Sequence, residues 1–479
     1  MPVVVPSGVP AGQDDGGWPD GPGRDGLVGE LLAGGVIGQA AAEGGHGCRL
    51  ERALTAEMTL LCLVTGALFP DQGYDMVLAK AFSVPGARVR PGTRVPTGPA
   101  LSLARARLGE RPARRAFELD AARRDVPPAG GTVSGLELVI LDGTTLDLFA
   151  CPELAAEFGV PRGGTHPKLR LVALLQAGTM RWKAAALGGY HDGETALADR
   201  LQGSLGPGQL CLADRFFFSM DRWARFSGTG ADLLWRVKNA ARSVPFRRLR
   251  VLKDGSELVL VRESPSMLSR RRRETGDQTA AGHPDAVARL VCFTVTARTR
   301  SGRAKTTAVR VLTTLLDPVA FPARQIAALY ASRWQVETAF LHLKKTVRGP
   351  GRVLRGRSAA LARQEAWALL LVHNMTAALT AQAAAAAGTS LAAVCFTAVL
   401  SLLREHAAGK PCPHCGKQPA AGKDRLAAAI AAQPLNRENR KRTSGRTKPE
   451  RRKWHTEEVT YDIAIIPSDL PKADKSPTT

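Results

Sequence analysis

The stretch LYASRWQVETAFLHLKK, Leu329 to Lys345, decides how the chain is to be read. At about 100° per residue, Tyr330, Arg333, Glu337 and Lys344 fall within roughly a 60° arc of a helix. Leu329, Val336, Phe340, Leu343 and Val347 cluster on the adjoining arc, so the helix buries one side and carries a polar stripe at its margin. A carboxylate flanked by two cations and a phenol beside a core is not an ordinary solvated face. Such a stripe needs counterparts elsewhere in the chain.

Two aspartates meet that need. LELVILD is an apolar run ending in Asp142, and GQLCLAD is another ending in Asp214. Carboxylates at strand ends can converge with Glu337 from the helix, and such a cluster repels itself unless a divalent cation sits between the oxygens. Mg²⁺ suits hard oxygen donors, with Mn²⁺ as a substitute. Two such ions about 3.5–4 Å apart would bracket a scissile phosphate, one activating the attacking oxygen and the other stabilising the leaving oxygen. Arg333 can grip a phosphate with its planar fork, Lys344 can act as a point charge, and Tyr330 can donate a hydrogen bond. Asp147, Asp192, Asp221 and Glu194 also stand near strand ends or helix starts and read as turn or cap residues.

The totals agree with an anionic partner. The chain has 479 residues and a net charge of +23, from 66 Lys and Arg against 43 Asp and Glu, which favours nucleic acid over a small neutral ligand. Its eight cysteines are scattered, as suits a reduced cytoplasm. Only Cys412 and Cys415 are close; with His406 and His414 they have the beginnings of zinc spacing but lack a second ligand pair. No basic segment followed by an apolar core marks a secretion signal near the start. The longest apolar stretch, AWALLLVHNMTAALTAQAAAAAG, is interrupted by His373, Asn374 and Gln382, so a buried helix is expected rather than a membrane span.

The expected fold class is α/β, a mixed sheet with helices on both faces. Residues 1–26 form a Gly/Pro/Asp-rich leader and 27–120 a helical domain, the expected DNA reader. Within it Arg105, Arg107, Arg111, Arg114 and Arg115 form either a solvated face or a DNA-backbone contact. Residues 135–240 alternate strands and helices, 241–316 form a β-rich insertion with the Arg-rich turn SRRRRETGDQ, and 317–405 return to helix. The segment 406–479 reads as a basic, disordered tail, and Trp223, Trp235 and Trp334 read as core residues.

The motifs FPDQGYD, LDGTTLDL, LADRFFFS followed by LLWRVK, and YASRWQVETAFLHLKK occur in that order, the last with the spacing Y-x2-R-x3-E-x6-K. On these motifs the chain resembles the insertion-sequence-four family of bacterial DDE transposases, over about Glu30 to Thr380. The resemblance implies a ribonuclease-H-like core interrupted by the β insertion, with Asp142, Asp214 and Glu337 as a triad that binds two Mg²⁺ ions. It assigns Tyr330, Arg333, Lys344 and the adjacent Lys345 to the DNA of the element end. It further implies binding of terminal inverted repeats in double-stranded DNA, cleavage at the element ends, joining of the 3′ ends to target DNA, and a homodimer in the DNA complex. A metal-dependent nuclease on the same core and a decayed transposase acting as a repressor are the alternatives. Family members that cut through a DNA hairpin stack a flipped base on an aromatic of the insertion. Here residues 241–329 contain no Trp, leaving Phe293 or Phe321, and Phe216 stands where a smaller residue is often seen.

Overall fold

Side chains alternate across a strand, so a strand covered on both sides must be apolar at every position. Strand β2, Leu136–Asp147, which follows the two-residue β1 (Thr132–Val133), obeys that rule: Leu138 and Ile140 join one hydrophobic cluster while Val139 and Leu141 join another, and all four are buried. β3 (Lys168–Gln176), β4 (Arg181–Gly189), β5 (Gln209–Ala213) and β6 (Asp232–Val237) complete the core sheet. In this computed structural model the described residues are 35–44, 53–83, 93–123, 131–238, 246–299 apart from 264, 280 and 284, 304–407, 430–431 and 459–468. The leader 1–26, the Cys412/Cys415 segment and the basic run Asn436–Lys453 lie outside them.

The strand order is β4-β3-β2-β5-β6, with β2, β5 and β6 mutually parallel and β3 and β4 antiparallel to their neighbours. This is the ribonuclease-H-like arrangement. The insertion extends the same sheet: β7 (Phe246–Val251), β8 (Glu257–Val261), β9 (Ala286–Thr299) and β10 (Ala304–Thr313) follow, with β10 antiparallel to β6. One sheet therefore runs from the core through the insertion.

One face of the sheet is covered by the N-terminal helices α1 (Val36–Glu43), α2 (Ala56–Leu68), α3 (Tyr74–Phe82), α4 (Gly98–Leu108) and α5 (Arg111–Ala121), together with the long helix Ala359–Ala386. Their side chains and those of the sheet form one continuous cluster. The long helix is the apolar stretch of the sequence, buried in the core over most of its length. The other face carries the short helices Glu194–Asp199, beside β3 and β4, and Met220–Ser227, whose Trp223 and Phe226 pack edge-on against Trp235 of β6.

Asn374 explains its place in an apolar helix. Its Oδ1 accepts from Trp182 N at 2.7 Å and its Nδ2 donates to Trp182 O at 3.0 Å, so one amide side chain satisfies the backbone of edge strand β4 as a further strand would. Asp120 at the end of α5 accepts from the same Asn374 Nδ2 at 3.0 Å and from Arg181 Nη2 at 3.2 Å.

Several expectations require correction. The Arg-rich turn is instead helical over Pro265–Thr275. The tail is not wholly without structure, because β11, Val459–Ile465, pairs with the outer half of β9. Arg105 is buried and belongs to the fold: it donates to Gln364 Oε1 at 3.2 Å, pairs with Glu365 at 3.1 Å and donates to the Tyr74 hydroxyl. Arg114 and Arg115 pair with Glu118 and Glu43, while Arg107 and Arg111 are exposed.

Candidate active site

Parallel register brings the two aspartates together. Leu141 stands opposite Ala213 and Ala213 opposite Trp235, so the next residue on each of three adjacent strands lies at one level: Asp142, Asp214 and Arg236. Asp142 is not at a strand end as expected. β2 continues to Asp147 on its antiparallel partner β3, and Asp142 marks where β2 outruns β5. Arg236 Nη1 lies 3.8 Å from Asp214 Oδ1, a pairing that no local sequence feature announced.

Glu337 arrives on the helical arm, whose geometry is not a single straight helix. Ala323–Ala331 is α-helical, Ser332–Trp334 is a 3₁₀ turn, Gln335–Leu341 is α-helical again, and His342–Val347 is a π turn closed by Arg348 N donating to Leu343 O at 3.0 Å. Arg333 bridges the site, donating from Nη1 to Asp142 Oδ2 at 3.2 Å and from Nη2 to Glu337 Oε1 at 3.1 Å. Tyr330, buried, points its hydroxyl at Asp214 Oδ1, 3.5 Å away. The four expected residues Asp142, Asp214, Glu337 and Arg333, with Tyr330, thus meet.

Lys344 does not join them. Its charged neighbours are Arg348, Asp147, Lys168 and Lys345. The wider π turn carries it off the row that a straight helix would give, toward the far end of β2. There Lys168 pairs with Asp147, and Lys344, Lys345 and Arg348 form a basic group beside them.

The electrostatics reflect crowding of like charge. Burial pushes the Asp142 carboxyl above its ordinary pKa, and Asp214 and Glu337 push it further, against the Gly143 N–H (2.8 Å from Oδ1) and Arg333. Burial would lower the pKa of Arg333, but Tyr330, Asp142, Asp214 and Glu337 together raise it. Burial, followed by the neighbouring Arg348, lowers that of Lys344. Among the described residues no three acids or imidazoles enclose a common point closely enough to hold an ion in this arrangement. Two of the three carboxylates are instead drawn to the Arg333 guanidinium, which stands where positive charge is needed. The donor set, hard carboxylate oxygens at the margin of a core, fits a hard divalent cation.

The competing acids separate cleanly. Asp192 accepts from Gly189 N at 2.7 Å, Asp221 pairs with Arg225 and His283, and Asp147 pairs with Lys168, as turn or surface residues do. Glu194 pairs with Arg170 at 3.5 Å, and its pKa is raised by burial and, further, by Asp142 and Asp214. Trp223 and Trp235 are core residues as expected, whereas Trp334 is 65% exposed, turned outward by the 3₁₀ turn beside Arg333. Phe216 is also exposed, and Phe293 is buried within the insertion, closed to any stacking role.

Comparison with known proteins bears on this geometry. Residues 134–375 match the model of the transposase DDE domain, and residues 26–118 that of the insertion element 4 transposase N-terminal domain. The chain belongs to the DDE transposases. It is a transposase of a bacterial insertion sequence, an enzyme of DNA cleavage that depends on divalent metal. It is 26% identical over 355 residues to the transposase InsG for insertion sequence element IS4 of Escherichia coli K12, covering 73% of this chain and 75% of that one. The piggyBac transposase, in a synaptic complex with hairpin DNA, aligns at 10% identity over 86% of this chain and 82% of that one with a TM-score of 0.42, a likeness too distant to inform the site.

Proposed function

We propose that this transposase binds the inverted repeats at both ends of its element as double-stranded DNA, hydrolyses the phosphodiester at each end, and joins the freed 3′ hydroxyls to target DNA. The observation that carries this reading is the Arg333 bridge between Asp142 and Glu337, with Asp214 alongside. It gathers, from two strands and a helical arm, the residue types that phosphoryl transfer needs.

Asp142, Asp214 and Glu337 are assigned to hold two Mg²⁺ ions, with Mn²⁺ as a substitute. Bound there, the ions supply charge to the attacking and leaving oxygens of the displacement. Arg333 exchanges its carboxylates for the non-bridging oxygens of the end phosphate, a bidentate contact its planar fork is made for. Tyr330 donates its hydroxyl to the same phosphate, and its burial fixes where that donor stands. Lys344 and Lys345, with Lys168 and Arg348, hold the DNA backbone a few nucleotides away and weaken with salt. The N-terminal helices read the repeat. Two ends are processed together, so the working unit is a homodimer on DNA, acting at the nucleoid in the cytoplasm.

The test is a cleavage and joining assay with Mg²⁺ on DNA carrying the element ends, comparing wild type with Glu337→Ala, with end binding followed by gel shift. Nicking and joining by the wild type alone, with binding retained by both proteins, is expected. Nicking without joining would favour the nuclease alternative, and specific binding without nicking by either protein would favour the repressor. Loss of binding in Glu337→Ala would refute the role given to that residue.

A further inference from the structure

Two residues of the β insertion act on the connection that leads into the helical arm. Arg289 of β9 is wholly buried, and strand alternation puts it on the sheet face of Val291 and Phe293, where the helix Ala323–Ala331 packs through Ile326 and Ala327. Its Nη1 donates to three backbone oxygens of the connection, Leu315 O at 3.4 Å, Asp317 O at 3.2 Å and Phe321 O at 2.6 Å. Its Nε donates to Ser256 Oγ at 2.8 Å and its Nη2 pairs with Asp254.

Asp254 stands in the turn between β7 and β8. Its Oδ2, the oxygen that Arg289 holds, also accepts from Ala323 N at 2.7 Å, in the first turn of the helix. Its Oδ1 accepts from Ser256 N at 3.2 Å and Ser256 Oγ at 2.6 Å. The residue at the helix start is Pro322, whose side chain has no acceptor to offer. Asp254 therefore caps the helix from another element, its charge at the positive end of the helix dipole. Stability alone does not ask for this arrangement, since well-packed apolar residues of similar volume often serve a fold as well as a buried ion pair. What the arginine adds is direction. Its rigid fork fixes the course of the connection, and about two turns beyond the cap the same helix carries Tyr330, whose hydroxyl lies 3.5 Å from Asp214.

We propose that Arg289 and Asp254 are positioning residues of the cleavage reaction, which set the helix carrying Tyr330 against Asp214. This rests on the reading of Tyr330 as a donor to the end phosphate. The insertion then mounts the arm as well as extending the sheet.

The experiment measures, on the full-length protein, the single-turnover cleavage rate of bound element-end DNA with Mg²⁺, end affinity by gel shift, and melting temperature. Arg289→Met and Asp254→Asn should each slow cleavage of bound DNA by about ten- to a hundredfold, as a misplaced catalytic group does, with end affinity unchanged. Arg289→Lys, which keeps the charge but lacks the fork, should stay slow. The double variant should be no slower than the slower single one, because the pair acts as a unit. Asp120→Asn, which breaks a buried network elsewhere, is the control for lost stability and should cleave at the wild-type rate per folded molecule. Wild-type rates in Arg289→Met and Asp254→Asn beside a slowed Tyr330→Phe would overturn the proposal and leave the reading of Tyr330 intact. A wild-type rate in Tyr330→Phe would overturn both. Should Arg289→Met fail to fold, Asp254→Asn decides: it keeps the shape of the side chain, yet an oxygen turned to Arg289 and Ala323 leaves its amide against the Ser256 N–H.

Discussion

Arg181 and Arg333 both pair with acids from other elements of the fold, and they are held in opposite ways. Arg181 is buried against Asp120, donating to its backbone carbonyl at 2.8 Å and its carboxylate at 3.2 Å, and the same carboxylate accepts from Asn374, which in turn closes the edge of the sheet. Arg333 is stretched between Asp142 and Glu337, while Asp214 makes only long contacts with Tyr330 at 3.5 Å and Arg236 at 3.8 Å. In the first region the chain itself supplies the partners, and the network joins a helix, a strand and the long helix. In the second, acids outnumber the cations that reach them, and Asp142 is held above its ordinary pKa by burial and by its neighbours. Charge that the fold satisfies belongs to the fold. Charge that the fold gathers and leaves in excess is kept for a partner outside the chain.

The strongest way to break that distinction is to neutralise one acid in each region. Asp142→Asn should cut cleavage by about a thousandfold or more, because a metal-held charge stabilises the transition state by several kcal/mol. It should not lower the melting temperature at pH 7. Since the folded pKa of Asp142 is raised, its ionised form is disfavoured in the folded state, and that strain grows as pH rises through the folded pKa. A fall in melting temperature would mean that Asp142 supports the fold after all. Asp120→Asn should do the reverse. Breaking a buried pair costs about 3–5 kcal/mol, visible in a denaturant titration, while cleavage per folded molecule stays near wild type.

How much of this was legible in the sequence follows from the range of the interactions involved. The apolar runs before Asp142 and Asp214 disclosed the strands, and parallel register then places the two acids level without further information. Arg236 was not legible because it matters only through Asp214 on another strand. Arg105 and Arg107 look alike in a helical run, yet Arg105 is buried because Gln364, 259 residues away, receives it. The polar interruption Asn374 was visible, but its use as a substitute strand was not. Nothing between Leu329 and Lys345 is Pro or Gly, so a straight helix was the natural expectation; the 3₁₀ and π turns that expose Trp334 and displace Lys344 have no local signature.

The structural side of the comparison sharpens with pH. His373 is fully buried in the long helix between Trp182 and Phe396, ring centroids 5.3 and 5.2 Å away. Burial, and then His342, holds its pKa well below the ordinary value. The unfolded chain therefore takes up a proton below about pH 6.5 that the folded protein refuses, and stability falls with pH by up to about 1.4 kcal/mol per unit. Thermal melts between pH 7 and 5 should show this decline, and His373→Phe should flatten it. An unchanged slope would remove His373 as its source.

The smallest expected effect decides the geometry of the helical arm. If the π turn places Lys344 beside Asp147 and Arg348, as its charged neighbours indicate, Lys344 meets DNA backbone away from the reacting phosphate. Lys344→Ala should then weaken binding of all sequences alike and make the plot of log affinity against log salt shallower by about 0.9, the loss of one phosphate contact. Cleavage of DNA already bound should change little. A straight helix would put Lys344 on the row of Arg333 and Glu337, and the same substitution would slow cleavage of bound DNA by about ten- to a hundredfold, as loss of a charge placed at the reacting phosphate does. Measuring the salt slope and the single-turnover rate on one variant therefore tells which region Lys344 serves.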